Sequence, residues 1–124
     1  MSNGARLSQI SIIMLGVGDL PRSVAFYSEV LGLEVRNQIP GFAFLVAGGI
    51  TLALSEALGT AHGGAPLPGA TEVVFSVASV RQTYEGLKSK GLTFTHEPRN
   101  VTGSFWAANF NDPDGHKLSI FGEE

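Results

Sequence analysis

The sequence predicts an α+β domain: two tandem βαβββ modules forming a cup-shaped mixed sheet, with helices on the outer face. Three observations predict it. The two halves of the chain resemble each other, each half opens with a β-rich run that leads into a capped helix, and each helix is followed by three short extended segments. A ferredoxin-like βαββαβ sandwich also leaves one sheet face bare, but it supplies too few strands after each helix.

The repeat is legible by superposition. Ile12-Ile13-Met14-Leu15-Gly16-Val17 lies over Glu72-Val73-Val74-Phe75-Ser76-Val77, and Asp19-Leu20 lies over Ser79-Val80. Gly32-Leu33 then falls on Gly91-Leu92. A period near half the chain marks two copies of one supersecondary unit. A chain of 124 residues is one domain, 1–124, with a module over about 8–55, a linker over about 56–70 and a second module over about 71–121.

Each element has its own local cause. Ile10–Val17 and Val73–Val77 are rich in the Ile, Val and Phe that strands favour. Asp19 is a good N-cap with Pro21 tolerated in the first turn, and Ser79 with Gln82 makes a capping box. Leu20, Val24, Tyr27 and Leu31 form one apolar stripe at helical spacing, with Val80, Tyr84 and Leu87 as its counterpart. Gly32 and Gly91 stand where a left-handed residue ends each helix. The later strands are expected near Leu33–Asn37, Phe42–Ala47 and Ile50–Ser55, then near Leu92–His96, Ser104–Asn111 and Lys117–Phe121. Gly48-Gly49 and Asp112-Pro113-Asp114-Gly115 supply turns. Glu56 to Ala70, rich in Gly and Pro, reads as linker.

Alternation assigns faces. Ile13, Leu15 and Val17 share the helix side of the first strand, and Ile12, Met14 and Gly16 the other. Val73, Phe75 and Val77, and later Leu118 and Ile120, should meet the second helix. Glu72, Val74, Ser76, Lys117, Ser119 and Phe121 then belong to an uncovered face, which forms either a ligand cup or a dimer surface.

Composition excludes whole classes of function. The net charge is −3, so no basic footprint invites nucleic acid or an anionic membrane. There are no cysteines, which removes disulfides, thiolate zinc sites and cysteine nucleophiles. Disorder is excluded by 44% hydrophobic residues. No apolar run reaches the roughly 20 residues of a membrane span, and the first residues lead into no secretory core. A cytoplasmic domain is the expectation. Glycine is the oddity, at 16 residues, well above the usual share of about 7%.

Val17-Gly18-Asp19-Leu20-Pro21-Arg22-Ser23-Val24-Ala25-Phe26-Tyr27, Leu31-Gly32-Leu33 and Asp112-Pro113-Asp114-Gly115-His116 carry a resemblance over about residues 8 to 121. The chain resembles the vicinal-oxygen-chelate superfamily, which includes glyoxalase I, bleomycin-resistance proteins, fosfomycin-resistance enzymes and extradiol dioxygenases. Metal-bearing members place ligands on the first and last strands of each module. Carried onto this chain, those places fall on Ile12, Ala53, Glu72 and Ser119. Only Glu72 is a good ligand there, where a catalytic ion needs about three. The resemblance therefore implies a site without metal or other cofactor, and a homodimer, since single-chain members of this length often pair.

Other chemistry is sparse. His62, His96 and His116 match no ligand spacing and read as partly exposed residues. Gly16-Val17-Gly18 falls short of a dinucleotide fingerprint. Glu72 opens an otherwise apolar strand; desolvated in a cup it would serve as general acid or base, and the alternative is a residue paired with Lys117 or Arg99, or simply hydrated. Phe42 and Phe44 alternate to one face, and Trp106 lies on the matching strand of the second module, as pocket wall or as core. The expected ligand-binding set is Ile12, Met14, Phe42, Phe44, Ala53, Val74, Trp106, Ser119 and Phe121. The leading expectation is a metal-independent protein that binds or sequesters an aromatic or planar small molecule, as bleomycin-resistance members do. The alternative is a lyase, isomerase or dioxygenase that is metal-dependent or uses Glu72 as acid/base.

Overall fold

A computed structural model of the chain describes residues 9–61, 66–68 and 71–124. His62 lies outside the described residues. The first module runs β1 (Ile12–Gly16), α1 (Leu20–Ala25) continued by a π-helical stretch (Phe26–Val30), β2 (Val35–Ile39), β3 (Phe42–Ala47) and β4 (Ile50–Ser55). After a short α2 (Glu56–Gly59), the second runs β5 (Glu72–Ser79), α3 (Val80–Ser89), β6 (Phe94–Thr102), β7 (Phe105–Asn111) and β8 (Lys117–Glu123). The strands make two four-stranded mixed sheets of matching order, β1-β4-β3-β2 and β5-β8-β7-β6. In each, the first strand runs parallel to the last and the other pairs are antiparallel. The paired βαβββ plan is thus the one the chain adopts, as two separately hydrogen-bonded sheets with β1 and β5 at their edges.

The caps act as their residue types require. Asp19 Oδ1 accepts from Arg22 N at 3.0 Å, and Ser79 Oγ accepts from Gln82 N at 3.1 Å. Gly32 and Gly91 have φ of +84° and +93°, the left-handed conformation that only glycine adopts cheaply. The linker is not wholly irregular, as the sequence had suggested. Ser55 Oγ accepts from Leu58 N and starts α2, while the Glu56 carboxylate accepts from Leu20 N at 2.9 Å, a second acceptor at the start of α1. Gly16 and Gly59 let α2 lie directly on the end of β1: a Cβ on Gly16 would stand 2.8 Å from the Gly59 backbone. Part of the glycine excess is therefore close packing.

One apolar core serves both modules. Leu15, Leu45, Leu52, Leu54 and Tyr27 from the first meet Tyr84, Ala108, Phe110, Leu118 and Ile120 from the second. Each buried Leu of this kind contributes roughly 1.5–3 kcal/mol relative to exposure. A buried polar clamp adds direction to that contact. The Asp112–His116 turn of the second module docks on the corner between β1 and α1 of the first. Asp112 accepts from the Tyr27 hydroxyl at 2.8 Å and from the backbone N–H groups of Asp114 and His116. Asp114 accepts from Gly18 N, Arg22 Nη2 and Ser23 Oγ at 3.1–3.2 Å. The His116 ring nitrogen Nε2 lies 2.6 Å from the Gly16 carbonyl oxygen. His116 is consequently buried, against the expectation of partial exposure, because it closes the turn onto β1. Burial, and after it the Asp112 carboxylate, pushes the Tyr27 phenol far above its ordinary pKa.

Candidate functional site

Strand parity delivers the expected faces. Ile13 and Leu15 on β1, and Val73 and Phe75 on β5, turn to the core, leaving Ile12, Met14, Glu72 and Val74 on open sheet faces. On the first sheet Met14, Ala53 and Phe44 stand in one cross-strand row, with Ile12, Thr51 and Val46 in the next. Ala53 is buried in the floor of this face, while Ile12 and Met14 are 48% and 41% exposed. Phe42 and Phe44 stack nearly parallel, centroids 6.4 Å apart.

On the second sheet the rows are Val74, Ser119, Asn109 and, beside it, Ser76, Phe121, Ala107 and Arg99. Ser119 and Ala107 are buried between their neighbours. Phe105 and Phe121 stack with centroids 5.3 Å apart and planes 12° from parallel. At the other end of the face a polar chain runs Arg99 Nη1 to Asn109 Oδ1 at 2.7 Å and Asn109 Nδ2 to Glu72 Oε2 at 3.1 Å. Glu72 is therefore joined to Arg99 through an amide rather than by a direct ion pair. It is exposed in the chain, so the chain alone does not desolvate it. A recess of about 260 Å³ beside it is lined by Thr95, His96, Asn109, Asn111 and Lys117 among others.

Trp106, expected among the ligand-binding residues, stands on the core side instead. It lies on the helix side of β7 with Ala108 and Phe110, packs against the core, and carries the Arg81 guanidinium of α3 at 5.8 Å from its ring centre. The aromatic on the open face is its neighbour Phe105. The alternation Phe105, Ala107, Asn109, Asn111 held the signal, because polar asparagines mark the open side of a strand whose other side reads Trp106, Ala108, Phe110. Asn109, Arg99 and Phe105 are the additions that geometry makes to the expected set.

Within one chain two separate cavities border these strands. Met14 lines one of about 190 Å³ with Leu58 and His116. Glu72 and Val74 line one of about 580 Å³ against Ile13, Ile50 and Leu52, the core-side residues of the first sheet, with Val73 and Phe75. Neither brings Ile12 or Ala53 to Ser119.

The four mapped ligand places do not fit a divalent ion. Ile12 and Ala53 offer no lone pair, Ser119 only a neutral hydroxyl, and one oxygen of Glu72 is already held by Asn109. Among the described residues no cluster of three His, Asp or Glu side chains stands in for them.

Comparison with known proteins gives this geometry its relatives. The family model described as the Glyoxalase/Bleomycin resistance protein/Dioxygenase superfamily matches residues 9–120. The chain belongs to that superfamily. It is 30% identical to a lactoylglutathione lyase of Escherichia coli O157:H7, over 90% of each protein. It is 27% identical to a bleomycin resistance protein of Geobacillus stearothermophilus, covering 90% of this chain and 94% of that one. A crystal structure of a glyoxalase/bleomycin resistance protein/dioxygenase from Nocardioides superposes with a TM-score of 0.78 at 26% identity, over 97% of this chain and 86% of that one. The superfamily relatives thus include both an enzyme and a resistance protein, and membership alone does not choose between them. No helix among the described residues is long and apolar enough to cross a membrane.

Proposed function

We propose that this protein binds or sequesters an aromatic or planar small molecule without a metal, in the manner of the bleomycin-resistance branch of its superfamily. The observation that carries this reading is the donor set. Two of the four places that hold metal in metal-bearing relatives are occupied by Ile12 and Ala53, and the faces around them present stacked phenylalanine pairs instead. Aromatic walls with a few polar groups describe a small-molecule pocket. Ile12, Met14, Phe42, Phe44 and Ala53 supply one wall. Val74, Ser119, Phe121 and Phe105 supply the other, with Glu72 at its edge.

The partner that closes the cup is a second copy of the chain. Ile12, Met14, Val74 and Phe105 are 41–53% exposed on the two open faces, an apolar surface that a homodimer would cover. It would also set the first-sheet face of one protomer against the second-sheet face of its partner. A thermal-shift screen in chelator tests the binding. A set of planar aromatic compounds should raise Tm in proportion to occupancy, and a flat response across a broad library would remove the reading. Light scattering should give twice the chain mass at micromolar concentration; a monomer would remove the dimer.

The competing reading is a lyase, isomerase or dioxygenase, and one observation favours it. Asn109 fixes one oxygen of Glu72 and leaves the other free on the open face, as a general acid or base requires. Turnover of any superfamily substrate that Glu72→Gln abolishes would move the protein to this class.

A further inference from the structure

At the polar end of the second sheet's open face two cations stand without an ion-pair partner among the described residues. Arg99 donates through Nη1 to the neutral Asn109 amide, and neither Arg99 nor Lys117 has a carboxylate within 4.0 Å among the described residues. Lys117 is the cross-strand partner of Glu72 on β5, yet no ion pair joins them. Of these three the cations Arg99 and Lys117 outnumber the carboxylate of Glu72, and Glu97 is the further acid on β6. Glu123 lies at the opposite end of the face, across from Phe105. A guanidinium has five N–H donors, so Arg99 keeps a free edge after bonding Asn109. Between this edge and the Phe105–Phe121 stack lies a flat floor of Ala107 and Ser119, both more than nine-tenths buried. The Ser119 hydroxyl is carried on the open face by strand parity.

From this arrangement we infer that the ligand is an aromatic monocarboxylate. Its ring lies on Ala107 and Ser119 against Phe121 and Phe105, and its carboxylate meets the free edge of Arg99. The ring gains apolar contact and stacking. The carboxylate finds the planar donor fork that favours it over a neutral amide, with Lys117 adding charge. Asn109 is the positioning residue: by bonding Arg99 and Glu72 together it holds the guanidinium along the floor and keeps the Glu72 carboxylate tied at one oxygen. The inference rests on the aromatic-binding reading above and narrows it to one chemical class.

Calorimetric titration of the wild-type protein with 2-naphthoate and its neutral isostere 2-naphthamide tests it. We expect naphthoate to bind at least about tenfold more tightly than the amide. Arg99→Gln should erase that difference, with the amide affinity unchanged within about twofold, and Arg99→Lys should restore part of it. Glu72→Gln, which removes the carboxylate bonded to Asn109, should tighten naphthoate severalfold, and this arm stands even if the Arg99 variants fail to fold. Equal affinity for both probes, or indifference of naphthoate to both substitutions, would overturn the carboxylate assignment while leaving aromatic binding in place. Failure of both probes together with a flat aromatic library would overturn the parent reading as well.

Discussion

Two polar clusters in this small protein use nearly the same ingredients to opposite ends. At the module junction, Asp112 and Asp114 spend their oxygens on Tyr27, Arg22, Ser23 and three backbone N–H groups, and the Asp114 side chain is only 4% exposed. On the open face, Glu72, Asn109 and Arg99 form a single exposed chain with donors and an acceptor left over. Burial decides the difference. A buried donor left without a partner costs its full desolvation, so the clamp is complete and structural. An exposed one costs little because water substitutes, so the open face keeps unused capacity that a ligand can take up.

Substitutions should separate the two clusters by size of effect. The largest loss is expected from Asp112→Ala, which strands the Tyr27 hydroxyl and two backbone N–H groups at once. About 3–5 kcal/mol of stability should vanish, read as a lower urea midpoint with unchanged slope, a large share of the 5–15 kcal/mol of a typical domain. Tyr27→Phe should cost less, about 1–2 kcal/mol, and it carries a pH signature. The folded-state phenol is raised, first by burial and then by Asp112. Its contribution is therefore complete below the unfolded value of about 10. It is lost as pH rises above that, where the unfolded chain ionises and the folded one does not. Wild-type stability should fall above about pH 10, and the Phe variant should lose that part of the slope. On the open face, Arg99→Ala and Glu72→Gln should each change stability by no more than about 0.5 kcal/mol while altering ligand-induced stabilisation. The smallest effect on binding is expected from Trp106→Phe: it faces the core, so ligand affinity should stay as in wild type, whereas Phe105→Ala should lower it.

The same contrast explains what could be read from the sequence. Elements governed by local chemistry were legible: Asp19 and Ser79 as caps, Gly32 and Gly91 as left-handed stops, the Asp112–Gly115 turn, and the alternation that sends Ile13 and Phe75 inward. Features set by distant partners were not. The motif around Asp114 reads as a turn, and nothing in its neighbours announces that it will bind Gly18 and Arg22 in the other module. Helix α2 hid in a glycine-rich stretch because Ser55 and Glu56 are ordinary loop residues until they cap something. Arg99 sits on a strand interrupted by bulges between Phe94 and Asn100, where counting by twos loses its face. The face of Trp106 is of a different kind, legible from Asn109 and Asn111, whose alternation along β7 sets it on the core side.

Metal independence is the claim on which the functional account turns. It is tested most directly by titrating a planar aromatic acid such as 2-naphthoate into protein stripped with chelator, then into the same protein supplied with one equivalent of Ni²⁺, Zn²⁺, Mn²⁺ or Fe²⁺. One unchanged affinity is expected in every arm, with no stoichiometric metal retained after desalting. Binding or turnover that appears only when one of these ions is present, lost again on chelation, would contradict it.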